Sequence, residues 1–104
     1  MEDTSPRTLV DIELPPVLES VAYARDRVRC CLPAPVRARG ADVVAELVRN
    51  AVKHGLGPVA LKVEMSTDCI YIEVRDDRDL HLTEQLAVPA ADESAAVGHR
   101  TGAA

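Results

Sequence analysis

Glu46 and Asn50 stand four residues apart in a stretch with helical spacing, which puts a carboxylate and a carboxamide on one face, one turn apart. Lys53 and His54 continue along that side. Asn is a poor helix-interior residue, because its amide competes for nearby backbone groups and Ala or Glu would serve without loss. An Asn in mid-helix therefore points to a specific partner. A carboxylate and a carboxamide so placed can grip a hydrated Mg2+ and a nucleophile, since Mg2+ takes hard oxygen ligands and keeps several of its waters. The plainer reading of the same residues is a solvated helix face opposite an apolar one.

Other groups offer less. Cys30 and Cys31 follow Arg29, whose positive charge could lower a thiol pKa, but two small, part-buried residues explain them more simply. No Cys-x-x-Cys or His-x-x-x-His pair supplies the spacing of a structural zinc site. The cluster Asp76, Asp77 and Asp79 lacks the glycine and terminal Glu of a Ca2+ loop in register. His81 and His99 read as solvated tail residues, and Arg37 and Arg39 as loop residues open to a phosphate or a partner.

The elements that position these groups must come from one domain, since the chain has 104 residues. Tyr23 and Tyr71 are the only aromatics, so the core must be built from Val, Leu, Ile and Ala. The same scarcity leaves no stacking platform for single-stranded nucleic acid, and 17 acids against 12 bases, a net charge of −5, disfavour direct nucleic-acid or membrane-surface binding. No apolar run reaches the ~20 residues of a membrane span, and the first residues lack a basic-then-apolar leader. With an odd count of three cysteines, the expectation is a reduced, cytoplasmic chain.

Along the chain, residues 8–14 alternate as a half-buried strand near a sheet edge, stopped by Pro15-Pro16. Val17, Leu18, Val21, Ala24, Val28 and Cys31 predict a helix over 16–31, with Pro33 and Pro35 ending it and a loop running to Gly40. Val44, Leu47, Val48, Ala51 and Val52 form a broad apolar stripe on a second helix, 41–54, capped by Gly55. Residues 59–66 and 70–75 alternate about the turn Ser66-Thr67-Asp68 and predict a β-hairpin. Beyond it, Leu80, Leu82 and Leu86 support a helical turn or two in an otherwise flexible tail. The expected organisation is a core over 7–79 and a tail over 80–104. The fold class is α+β: a two-layer sandwich with two helices on one face of a small, mainly antiparallel sheet.

The segment Glu46-Leu47-Val48-Arg49-Asn50-Ala51-Val52-Lys53-His54-Gly55 resembles the E-L-x-x-N-A-x-K/R-H-G helix of the histidine-kinase-like ATPase (GHKL) superfamily, and within it the bacterial anti-sigma-factor serine kinases of partner-switching systems. Ala24-Arg25 and Val28 match the first helix of that family, and Val74-Arg75-Asp76 the strand that leads to its adenine-binding Asp; order and spacing agree over residues 8–79. The resemblance implies a partial Bergerat-type ATP-binding fold and an ATP-binding regulator that acts as a serine/threonine kinase on an antagonist protein and binds a sigma factor. It implies that Asn50 ligands Mg2+ on the ATP phosphates and that Glu46 is the general base or orients the attacking hydroxyl. Asp76 would bind the adenine amino group, with Lys53 and His54 towards the phosphates. Phosphoryl transfer is largely positioning and charge neutralisation, so this set is chemically coherent.

The sequence departs from the family in its glycine boxes. Arg78 and Leu80 hold the places of the two glycines after the Asp. The acidic lead-in Asp92-Glu93-Ser94 is followed only by Gly98 and Gly102 where a Gly-rich lid is expected. The chain reads as a shortened relative whose uncovered surface pairs with itself or a partner. The alternative function is a non-catalytic interaction module on the same scaffold, with weak or no nucleotide binding.

Overall fold

A computed structural model describes residues 6–89. Four strands form one sheet in the order β1-β2-β3-β4: β1 (Arg7–Leu14), β2 (Val59–Met65), β3 (Cys69–Arg75) and β4 (His81–Ala87), every neighbouring pair antiparallel. Two helices, α1 (Glu19–Arg29) and α2 (Ala34–His54), lie between β1 and β2 in sequence and cover one sheet face. The α+β two-layer architecture expected from the sequence is the one observed.

Alternation builds the inner face. Val10, Val63 and Ile72 stand abreast across β1–β3, and Ile12, Leu61 and Val74 form the next row. Most of these are fully buried, each worth about 1.5–3 kcal/mol relative to an exposed side chain. The register shifts between Thr8 and Val10, and this bulge lets Leu9, which simple alternation points outward, pack partly against the core. From α2, Val36, Val44, Val48 and Ala51 press onto β2, β3 and β4, while α1 sits beside α2 and against β1.

Three boundaries differ from the sequence reading. First, α1 spans Glu19–Arg29 and not 16–31. Its start is a turn after Pro15-Pro16, held by the buried Ser20 hydroxyl, which donates to the Pro15 carbonyl at 2.7 Å.

Second, α2 begins at Ala34, seven residues before the expected start. Pro33 is its extended N-cap and Pro35 sits in the first turn, where a missing N–H leaves nothing unpaired. Arg37 and Arg39 are therefore helical; the Arg37 Nε donates to the Leu32 carbonyl at 3.3 Å. Gly40 lies inside the helix because a Cβ there would collide with the Leu32 Cδ1.

Third, the segment expected to begin a tail is strand β4, which extends the sheet to Ala87, past the boundary placed at residue 79. Leu86 is buried against the helices. A spacing of four, as between Leu82 and Leu86, puts two side chains on one face of a helix and also on one face of a strand, so those two leucines alone do not choose. The remnant with Gly98 and Gly102 lies outside the described residues.

A candidate site where the second helix meets the β3–β4 turn

The last turn of α2 carries Lys53 and His54, and the chain then extends through Gly55 and Leu56. Gly55 closes the helix by donating its N–H to the Ala51 carbonyl at 2.8 Å. Its φ of −88° is open to any residue, so glycine serves here by its size. A Cβ would stand 2.6 Å from the Ala51 carbonyl oxygen and 3.0 Å from the Cβ of Asp76. Gly57, at φ +74°, does need glycine for its conformation.

Asp76 is the first residue after β3. Its Oδ2 accepts the Leu56 N–H at 2.8 Å, and its Oδ1 accepts the N–H groups of Arg78 at 2.8 Å and Leu80 at 2.9 Å. The Asp77 N–H returns to the Leu56 carbonyl at 2.9 Å, and the Asp76 N–H to the Leu80 carbonyl at 3.2 Å. One carboxylate thus shapes the β3–β4 turn and ties it to the end of α2. Desolvation pushes the Asp76 pKa up, but the N–H groups of Leu56, Arg78 and Leu80 together outweigh it and hold the carboxyl below its ordinary 3.8.

An open cavity of about 320 Å³ lies over this junction, lined by His54, Leu56, Asp76, Arg78, Asp79 and Leu80. The structure therefore brings together His54 and Asp76, two of the five site residues the sequence singled out. Glu46 and Asn50 are exposed on α2 and are not among the lining residues. They lead to the cavity rim, since Glu46, Asn50 and His54 follow one another at single-turn intervals along one side of the helix. Lys53 is exposed beside them.

The chemistry on offer follows from the acceptor count. A carboxylate offers about four lone-pair sites. Arg78 and Leu80 fill those of Oδ1, whereas Oδ2 holds one N–H and keeps one site for a further donor, such as the exocyclic amino group of a purine. Glu46 and Asn50 supply one carboxylate and one amide oxygen, a donor set that suits Mg2+ when phosphate oxygens complete the shell. Among the described residues no group of three or more His, Cys, Asp or Glu side chains is placed to hold a metal ion by itself.

Sequence reasoning did not find the Leu56 backbone as the partner of Asp76. Its only trace is the Gly55-Leu56-Gly57 run, whose glycines admit Asp76 and Asp77. His81, read as a tail residue, stands in β4 on the open sheet face with its Nε2 2.7 Å from the Glu73 carboxylate. All three cysteines are free: Cys30 exposed, Cys31 half-buried and Cys69 buried. No helix among the described residues is long and apolar enough to cross a membrane. No family model, curated protein or solved structure matches the chain.

Proposed function

We propose that the chain is a nucleotide-binding regulatory protein, similar to the anti-sigma-factor serine kinases, with the purine held at the α2–β3/β4 junction. The observation that carries this is the placement of Asp76. It lies beside His54 at the open cavity, bonded to the segment that leaves the Glu46–Gly55 helix, with one Oδ2 acceptor site to spare. In this reading the Asp76 Oδ2 takes the adenine amino group, and the triphosphate runs back along α2 past His54 and Lys53. Asn50 shares Mg2+ with the phosphates, and Glu46 stands one turn beyond to orient or deprotonate an attacking hydroxyl. Its protein partner is a sigma factor or the antagonist that carries the accepting hydroxyl.

Titration with a fluorescent ATP analogue and Mg2+ tests this. Saturation that Asn50→Ala weakens is the expected result. A flat response to about 1 mM analogue, the weakest affinity of functional interest, would overturn it.

A second reading, a non-catalytic interaction module, draws on the other side of the same residue. Three of the four acceptor sites of Asp76 already serve the backbone, which suits a residue that shapes a scaffold. Phosphorylation of a partner that disappears with Asn50→Ala would exclude it.

A further inference from the structure

The outer surface of the helical layer carries a second concavity, remote in sequence from the Asp76 turn. A groove of about 480 Å³ runs between α1 and α2, lined on the α1 side by Leu18, Ala22, Arg25 and Arg29 and closed on the α2 side by Arg49. Positions 18, 22, 25 and 29 form one helical stripe, so an apolar start leads into a basic end.

Two independent features mark this surface as more than a solvated seam. The first is charge. The chain is acidic overall, at −5, yet three guanidiniums converge here against the single lining carboxylate of Asp26. Arg25 is occupied by Asp42, its Nη2 3.2 Å from the carboxylate. Arg29 and Arg49 have no ion-pair partner among the described residues. The second is apolar exposure. Leu18, at 63%, is the most exposed large hydrophobic residue among the described residues, and it lines the groove beside Ala22.

We propose that the α1–α2 groove docks an acidic amphipathic helix of a partner protein. Leucine-type side chains of that helix cover Leu18 and Ala22, and its carboxylates reach Arg29 and Arg49. Charge complementarity selects this occupant: an unpaired Arg at the edge of an apolar patch offers a planar fork that a carboxylate meets with two parallel hydrogen bonds. Apolar anchors laid in a groove beside charge pairs are the ordinary geometry of helix recognition, with Arg and aromatic residues carrying most of the binding energy. This docking does not depend on the nucleotide reading.

The test uses the full chain and a fluorescein-labelled helix of about 18 residues, long enough to span the groove. It is built from Glu, Ala and Leu with Leu on one face, and a second peptide has Lys for every Glu. Fluorescence anisotropy is expected to saturate with the Glu peptide and not with the Lys peptide, and to weaken as salt screens the charges. The double substitution Arg29→Glu/Arg49→Glu should weaken the Glu peptide at least about tenfold and admit the Lys peptide, while Leu18→Ser weakens either pairing. These positions are exposed, so circular dichroism should show both variants folded; if the Glu pair is not, Arg29→Gln/Arg49→Gln takes its place. Failure of the Glu peptide to saturate by about 1 mM, or equal binding of both peptides, overturns the proposal. So does binding unchanged in the Arg variants. Sedimentation showing a dimer that Leu18→Ser dissociates would overturn it in favour of a second copy of this chain.

Discussion

The Asp76 carboxylate accepts the Leu56 backbone N–H at 2.8 Å, and this bond joins the end of α2 to the turn between β3 and β4. A residue that the resemblance to the GHKL ATPases would make a ligand contact is thereby also a structural joint. Its remaining capacity on Oδ2, with His54 across the same cavity, is what a ligand would meet.

Removing that joint should destabilise the fold in graded fashion. Asp76→Asn can still accept from Arg78 and Leu80 through its single carbonyl oxygen, but it turns an NH2 towards the Leu56 N–H. Asp76→Ala loses all three bonds. The melting temperature is expected to fall in the order wild type, Asn, Ala, and a reversal of the two variants would contradict the assigned geometry.

The same carboxylate sets a pH dependence. Its folded pKa is depressed below 3.8, so its contribution is fully present above the unfolded value and is lost as pH falls through the folded one. Urea midpoints measured from pH 6 to pH 2 should show the wild type losing stability more steeply than Asp76→Asn. Parallel curves would mean that the carboxylate is not held by those three N–H groups.

Asn50→Ala separates site from scaffold. The side chain is exposed and Ala is the better helix former, so stability should stay level or rise by no more than about 0.7 kcal/mol. If nucleotide binds, its affinity falls in the same variant. A marked loss of stability would show that Asn50 holds the fold.

Gly40 and Leu32 should behave as a coupled pair. Gly40→Ala gains up to about 1 kcal/mol of helix propensity, yet its Cβ collides with the buried Leu32, and overpacking costs about 1–3 kcal/mol. A net loss is expected in the wild-type background. In a Leu32→Ala background the same change should be neutral or stabilising, a non-additivity that a double-mutant cycle in urea reads directly.

Strand β4 should be an integral part of the sheet. Leu86 is buried against the helices, so Leu86→Ala is expected to cost about 2–5 kcal/mol, the range for a core leucine. Hydrogen exchange should show protection in β4 wherever an N–H bonds to β3. Free exchange throughout residues 81–87 would return that segment to a tail.

What the sequence determined by itself was local and periodic. The alternation of residues 59–66 and 70–75 fits strands, and the Val44–Val48–Ala51 stripe fits a helix with one buried face, as the strands Val59–Met65 and Cys69–Arg75 and the second helix bear out. Those periods, with an aliphatic core, suffice for two helices on one face of an antiparallel sheet. Tertiary structure decided whatever depended on a partner distant in sequence. Pro33 and Pro35 are legal at a helix start as well as past a helix end, and burial of Val36 in the core with the close approach of Gly40 to Leu32 made them a start. The spacing of Leu82 and Leu86 fits a strand and a helix alike, and only the open edge of β3 settled it. Asp76 is one acid among three near neighbours. The resemblance alone singled it out; its part as a joint came from the approach of Leu56, twenty positions earlier in the chain, because hydrogen-bond partners are set by distance in space and leave no period in the sequence.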